Sequence, residues 1–288
     1  MKYLSTLLGL GIVISSFAQD VTETYNSSRI VNAHSTETLK KRQWEYRIEH
    51  RFGDMFGTNG GVQTAFGFDQ AADIRFAFEH GISDKWMFGV ARNKGVNRPY
   101  SSLLQGFLKG RILTQNKEKG MPVSMAVLGE MYYTYMKAST DSTQVSFFPK
   151  QVHRMSYATQ LIIARKFSDR FSASLMPSYV HRNYVADDDV NGLVSIGGAL
   201  NYKFTKSMGF IVEYFYNIEP TGFRPNAQNS FGIAYEYVTN GHNFHINLTN
   251  ARGFGAMQYI ALTREEIGLG QFRLGFSIAR TFKIRRRK

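Results

Sequence analysis

Seven histidines, 22 carboxylates and no cysteine define the chemistry this chain could attempt. Without thiols there is no disulfide scaffold, haem-attachment motif, cysteine zinc site or thiol nucleophile. His242 and His245 stand three residues apart, a spacing that on a hairpin sends the two rings to opposite faces. No His-Glu-x-x-His pair exists, so the histidines read as structural and no metal is expected. Asp187, Asp188 and Asp189 form an acidic run without the spaced oxygen ligands of a calcium loop, and it reads as a solvated loop tip. A lipid hydrolase would need a serine, a histidine base and an orienting amide or acid within hydrogen-bond reach. Ser178, His181 and Asn183 come nearest, but Ser178 and His181 fall on opposite faces of one strand, and there is no Gly-x-Ser-x-Gly. The sequence thus predicts no enzyme, no cofactor and no metal.

The remaining charges occupy alternate positions, which points to the elements that carry them. Glu45, Arg47, Glu49 and Arg51 interleave with Trp44, Tyr46 and Ile48, and Asp73, Arg75 and Glu79 interleave with Ile74, Phe76 and Phe78. Glu213 and Asn217 oppose Phe210, Val212, Tyr214 and Tyr216, while Arg273, Ser277 and Lys283 oppose Leu274, Phe276 and Ile278. Successive side chains of a strand point to opposite faces, so each segment has one oily and one wet side. Twelve such segments follow, near 43–53, 71–82, 86–94, 102–113, 122–136, 151–167, 171–184, 193–204, 209–218, 230–238, 243–250 and 271–283. Short connections alternate with mostly longer ones, and the repeated turns Ser83-Asp84-Lys85, Ser168-Asp169-Arg170 and Thr205-Lys206-Ser207 mark the short class. The pattern is a meander of hairpins.

Ahead of the strands, Met1-Lys2, an apolar run from Leu4 to Phe17 and Ser16-Phe17-Ala18 read as a signal peptide over 1–18. A polar periplasmic segment, 19–42, is expected next, then the strand region 43–284 and a basic tail, 285–288. Aromatics make up 14% of the chain against 20% charged residues, which excludes a disordered chain. A mean hydropathy of −0.28 argues against a bundle of membrane helices.

Strands of about ten residues suffice to cross a bilayer at a tilt, whereas soluble strands average about five or six. Alternating short and long connections are the habit of outer-membrane barrels, with short turns on the periplasmic side. Trp44, Trp86, Tyr132, Tyr133, Tyr179, Tyr184, Tyr214 and Phe282 are expected to form aromatic girdles at the two interfaces. An open sheet edge in hydrocarbon would leave backbone groups without water, so the sheet must close on itself. The expected fold is therefore all-β: a closed antiparallel up-and-down transmembrane barrel of about twelve strands. Both termini should lie in the periplasm of a Gram-negative bacterium.

The wet faces then line the lumen. Its acids are Glu45, Glu49, Asp73, Glu79, Glu130, Glu213 and Glu236; its bases are Arg47, Arg51, Arg75, Lys109, Arg111, Arg154, Lys166, Arg182, Lys203 and Arg273, with Lys283 at the end. One reading is a narrow channel for small solutes with a mixed-charge, mildly basic lumen. The other is a lumen filled by side chains and ion pairs, since twelve strands fall between filled eight-stranded and open sixteen-stranded barrels. In that case the barrel is a structural or docking element for a periplasmic or surface partner. The net charge of +13 comes with no nucleic-acid-binding motif and fits anionic lipid headgroups instead. Outer-membrane lipids are thus the expected partners, and nucleic acid is not.

Four stretches carry a family resemblance: RIVNAHSTETLKKRQWEYRIEHRFGD at 29–54, ISDKWMFGVAR at 82–92, KFSDRFSASLMPSY at 166–179 and RLGFSIARTF at 273–282. Through them nearly all of the mature chain resembles a family of outer-membrane β-barrels of unknown function from Bacteroidota. The resemblance implies the barrel architecture and carries over no catalytic residues.

Overall fold

A computed structural model describes residues 23–96, 98–218 and 223–283. The signal peptide 1–18 and the basic tail 285–288 lie outside these residues. The period-2 segments form twelve strands: β1 (Gln43–Asp54), β2 (Ala71–Gly81), β3 (Trp86–Lys94), β4 (Ser102–Leu113), β5 (Ser124–Thr134) and β6 (Met155–Lys166), then β7 (Phe171–Arg182), β8 (Gly192–Lys203), β9 (Met208–Ile218), β10 (Ser230–Thr239), β11 (His242–Thr249) and β12 (Arg273–Lys283). Each pairs antiparallel with its chain neighbours, and β1 pairs with β12 from Gln43–Lys283 onward, so the barrel is closed. Among the described residues, no helix is long and apolar enough to cross a membrane.

One end of the barrel gathers the short turns, and the tightest is Asn240-Gly241, where Gly241 takes a left-handed φ of 93°. That end also holds the start of β1 and the end of β12. The other end gathers the longer connections, the longest of which joins β11 to β12 and contains a short helix, α1 (Ala256–Ala261). The strand predicted to begin at 151 begins at Met155; residues 151–154 make a 3-10 turn whose backbone N–H groups bond locally.

The faces sort as alternation requires. Phe78, Val90, Leu108, Leu200, Phe210, Val212 and Ile246 are exposed on the outer wall, while Arg47, Arg75, Glu79, Lys109 and Glu213 are buried within. Phe76, Phe210 and Phe276 share no dry interior between two sheets, because all three point outward. A wall that is oily outside and charged inside inverts the arrangement of a water-soluble protein.

The interior is divided lengthwise. Glu45, Arg47, Glu49, Arg51, Arg75, Glu79 and Lys109 crowd β1, β2 and β4, whereas on β6–β9 the inner face mixes apolar Ala158, Ile162, Met176, Val180, Leu193, Ile211 and Phe215 with Gln160, Ser178, Asn201 and Glu213. Two chain segments fill the space between these halves.

Candidate functional site

The first filler is residues 24–37, a finger that rises from the short-turn end. Its core is a small hairpin: Arg29 bridges His34, Ile30 N–H donates to Ala33 C=O at 2.9 Å, and Ser35 N–H donates to Ser28 C=O at 3.0 Å. Residues 24–37 of the segment expected to be a polar periplasmic arm are thus folded into the lumen, and nearly every side chain from Thr24 to Glu37 is buried. The charged wall supplies what its polar atoms need. Glu213 accepts the backbone N–H groups of Asn32 and Ala33 at 3.0–3.1 Å. Lys109 Nζ donates to Ser28 C=O at 2.9 Å, and Arg47 donates to Ser27 Oγ at 2.9 Å and to Glu45 at 2.7 Å. Asn26 bridges Glu236 at 2.8 Å and Lys203 at 2.6 Å. The finger's apolar residues Tyr25, Ile30 and Val31 join the apolar interior cluster.

The second filler enters from the opposite end. Residues 251–263 turn inward, and all six residues of α1 are buried, with Met257, Tyr259 and Ile260 in the apolar cluster. Close approach fixes the bend: a Cβ on Gly255 would stand 2.4 Å from the Tyr132 hydroxyl oxygen. Glu130 accepts from Ala256 N–H at 3.2 Å, from Tyr132 at 2.7 Å and from Gln105 at 2.7 Å. Asn217 holds Ile260 C=O at 2.9 Å.

The two fillers meet at Arg29. Its guanidinium pairs with Glu49 at 3.2 Å, donates to Phe254 C=O at 2.6 Å and lies 3.0 Å from His34 Nε2. Arg51 grips both fillers too, donating to Asn32 Oδ1, Gly253 C=O and Ala251 C=O and lying 4.5 Å over the Phe254 ring. Arg75 spans Glu49 and Gln105. A planar guanidinium with five fixed donors suits such junctions. Below the finger a vestibule of about 1210 Å³ opens at the short-turn mouth, lined in part by Glu37, Lys40, Lys85, Arg111 and Lys119.

The structure gathers Glu45, Arg47, Glu49, Arg51, Asp73, Arg75, Glu79, Lys109, Glu130, Glu213 and Glu236 inside the wall, all buried. The remaining bases stand at the ends. Arg111, Lys166 and Lys203 occupy the short-turn mouth; Lys283 is exposed there. Arg182 and Arg273 lie at the long-loop end. Arg154 belongs to the 3-10 turn, not to a lumen-facing strand position. It donates to Thr134 and Met136 C=O at 3.1 and 2.7 Å and sits over the Phe148 ring. His153, expected in a strand, stacks on Tyr184 in the same region.

Among the girdle residues, Trp44, Trp86, Tyr133, Tyr179 and Phe282 face outward. Tyr132 does not: it is 1% exposed and points into the lumen, because successive strand residues cannot share a face and Tyr133 takes the outer one. Tyr214 faces outward in mid-strand, opposite Gly198 and Phe231, so it belongs to the oily belt and not to a girdle. Tyr184 lies beyond the last residue of β7.

The candidate chemistry does not assemble. Ser178 faces the lumen and bonds Met176 C=O and Gln160, His181 faces outward, and Asn183 follows the strand and holds Val152 C=O. His245 is buried beside Glu236 at 3.2 Å, while His242 lies on the other face near Arg280. Of the acidic run, Asp187 and Asp188 are exposed and Asp189 is a clamp. It accepts two bonds from Arg182 at 2.6 and 2.7 Å and pairs with Arg224 at 3.0 Å. Burial pushes its carboxyl up, but the Arg182 hydrogen bonds and the two guanidinium charges hold it below the usual carboxylate range.

Sequence reasoning missed both fillers. The inward loop did leave a signal: Ala256-Met257-Gln258-Tyr259-Ile260-Ala261-Leu262 is an apolar run that an exposed loop would present to water.

Closed strands, an oily outer wall and a polar, doubly filled lumen define a membrane β-barrel. The chain belongs to the family described as "Membrane bound beta barrel domain (DUF5777)", which matches residues 25–282 and so includes the finger. None of the curated proteins matches it. Among solved structures, the NanC porin is 10% identical with a TM-score of 0.49, covering 84% of this chain and 100% of its own. The KdgM porin gives 10%, 0.49, 83% and 99%. An outer membrane channel from Pseudomonas putida F1 gives 12%, 0.49, 86% and 98%.

Proposed function

We propose that this protein is an outer-membrane channel of a Gram-negative bacterium, related to Bacteroidota proteins, that passes small solutes when its finger leaves the lumen. The observation that carries this reading is the nature of the filling: the lumen is closed by chain segments and not by the wall's own side chains. Cleavage after Ala18 would leave the finger joined to the barrel only at β1, beside the short-turn mouth. Many of the contacts that hold it are hydrogen bonds and ion pairs, which water in an opened lumen can replace, beside the apolar packing of Tyr25, Ile30 and Val31. Short turns and both strand-region ends share one mouth, the periplasmic one in barrels of this kind.

The buried charges that the wall turns toward the two fillers are seven acids, Glu45, Glu49, Asp73, Glu79, Glu130, Glu213 and Glu236, and four bases, Arg47, Arg51, Arg75 and Lys109, of which Asp73 is held by Arg252 and not by the finger. Once the finger is out, that stretch of the pathway favours cations, and the bases at the mouths attract anions to its ends. Recording in planar bilayers tests the proposal. The mature protein should be mostly closed, and the variant lacking residues 19–37 should conduct steadily. Silence from that variant, with a folded barrel by circular dichroism, would overturn the channel and favour a docking barrel for a periplasmic or surface partner.

A further inference from the structure

A closed wall has no edge strand on which to place a proline, yet Pro177 stands in the middle of β7. Strand prolines belong at edges, first positions or bulges because they have no N–H for the ladder. β6 and β7 keep one register throughout, with Gln160 opposite Ser178 and Ile163 opposite Leu175, but the two positions between are unpaired. Pro177 remains paired with Ile196 of β8, so the missing donor faces β6. All four residues at the gap are apolar: Leu161 and Pro177 point outward, Ile162 and Met176 inward. Inside the barrel, α1 packs against these same two strands.

On the outer wall a groove of about 610 Å³ lies over the gap, lined by Val127, Leu161, Pro177, Tyr179 and Val194. Gly129 gives it depth: it faces outward, and an added Cβ there would meet no atom within 4 Å. Its neighbour across the ladder is Thr159, another small residue, which lies opposite Tyr179. We propose that this groove binds one hydrocarbon chain of a membrane amphiphile, laid along the β6–β7 seam. The groove opens onto the oily belt that the family's membrane setting immerses in acyl chains, and its walls are apolar. A chain seated there fills the hollow beside Gly129 and Thr159 with apolar contacts that a wall without a recess does not offer. The proposal is independent of conduction through the lumen.

Photolabelling tests it. The full mature protein is reconstituted in phosphatidylcholine vesicles containing a diazirine on one acyl chain, and labelled residues are mapped by peptide mass spectrometry. Labels on Thr159, Leu161 and Tyr179 should exceed those on the outer faces of β10 and β11 several-fold. Gly129→Trp, which fills the hollow, should lower them to the level of the rest of the belt without changing that level. Pro177→Val, which restores the N–H, should slow amide exchange along the seam and reduce labelling. Where Gly129→Trp does not fold, Thr159→Phe fills the same hollow. Equal labelling around the belt, labelling unmoved in a folded filled variant, or a dimer whose cross-links cover the groove would each overturn the site.

Discussion

Arg29 binds three parts of the molecule at once: the finger that carries it, Glu49 of the wall and Phe254 of the inward loop. Truncating it leaves Glu49 with Arg75 alone and frees two carbonyl groups. Removing one partner of a buried pair costs about 3–5 kcal/mol. Arg29→Ala should therefore lower the melting temperature and expose residues 23–42 to protease while the strands stay resistant. Arg29→Lys should fail to restore protection, because one ammonium cannot span acid, carbonyl and imidazole. Asp189 adds a pH dependence at the long-loop end. Its pKa in the fold is depressed, so its contribution is complete above the ordinary carboxylate value of about 3.9 and fades as pH falls through the depressed one. Hydrogen exchange of residues 183–191 should stay slow from neutral pH down to that region and quicken below it, and Asp189→Asn should be fast throughout. Alternation alone assigned the inner face to Glu45, Arg47, Glu49 and Arg51, since the wall separates two solvents. Carried on from Glu130, the same alternation places Tyr132 inside and Tyr133 outside, and the girdle expectation for Tyr132 failed because it went by residue type alone.

At the scale of elements, the strands were readable because each must show oil on one side and water or charge on the other, which writes a period of two into the sequence. The fillers have no such constraint. Residues 24–37 are rich in Ser, Thr and Asn, a composition that ordinarily denotes a solvated arm. They are buried because the surface they meet is itself polar, and their partners, such as Glu213 and Glu236, lie far along the chain. Polarity marks burial here only once the barrel is known to be closed. The inward loop depends on close packing at its bend. Gly255→Leu should collide with Tyr132, detach residues 251–263 from the wall and cost about 1–3 kcal/mol. A tyrosine fluorescence change, accompanied by longer open times in bilayers, would register the displacement. An unchanged melting temperature would mean that the loop has a second way to pack.

For the whole molecule, the decisive matter is which medium bathes the outer wall. Val212 lies near the middle of β9, paired with Leu200 and Ile233, and all three are exposed. In water, replacing one exposed residue on a sheet changes stability by no more than about 0.5 kcal/mol. In hydrocarbon, an arginine at that depth costs about 2–4 kcal/mol, because its charge must be carried to the interface or hydrated by a defect. Val212→Arg in lipid vesicles should thus shift the denaturant midpoint strongly, whereas Lys206→Ala, on an exposed short turn between β8 and β9, should shift it little. The contrast also separates the two surfaces of the wall. An arginine added on the lumen side meets acids such as Glu213 and Glu236, and once the finger is gone it meets water. A lipid-side penalty that persists in the variant lacking the finger would locate the membrane on the outside of the sheet, independently of what fills the inside.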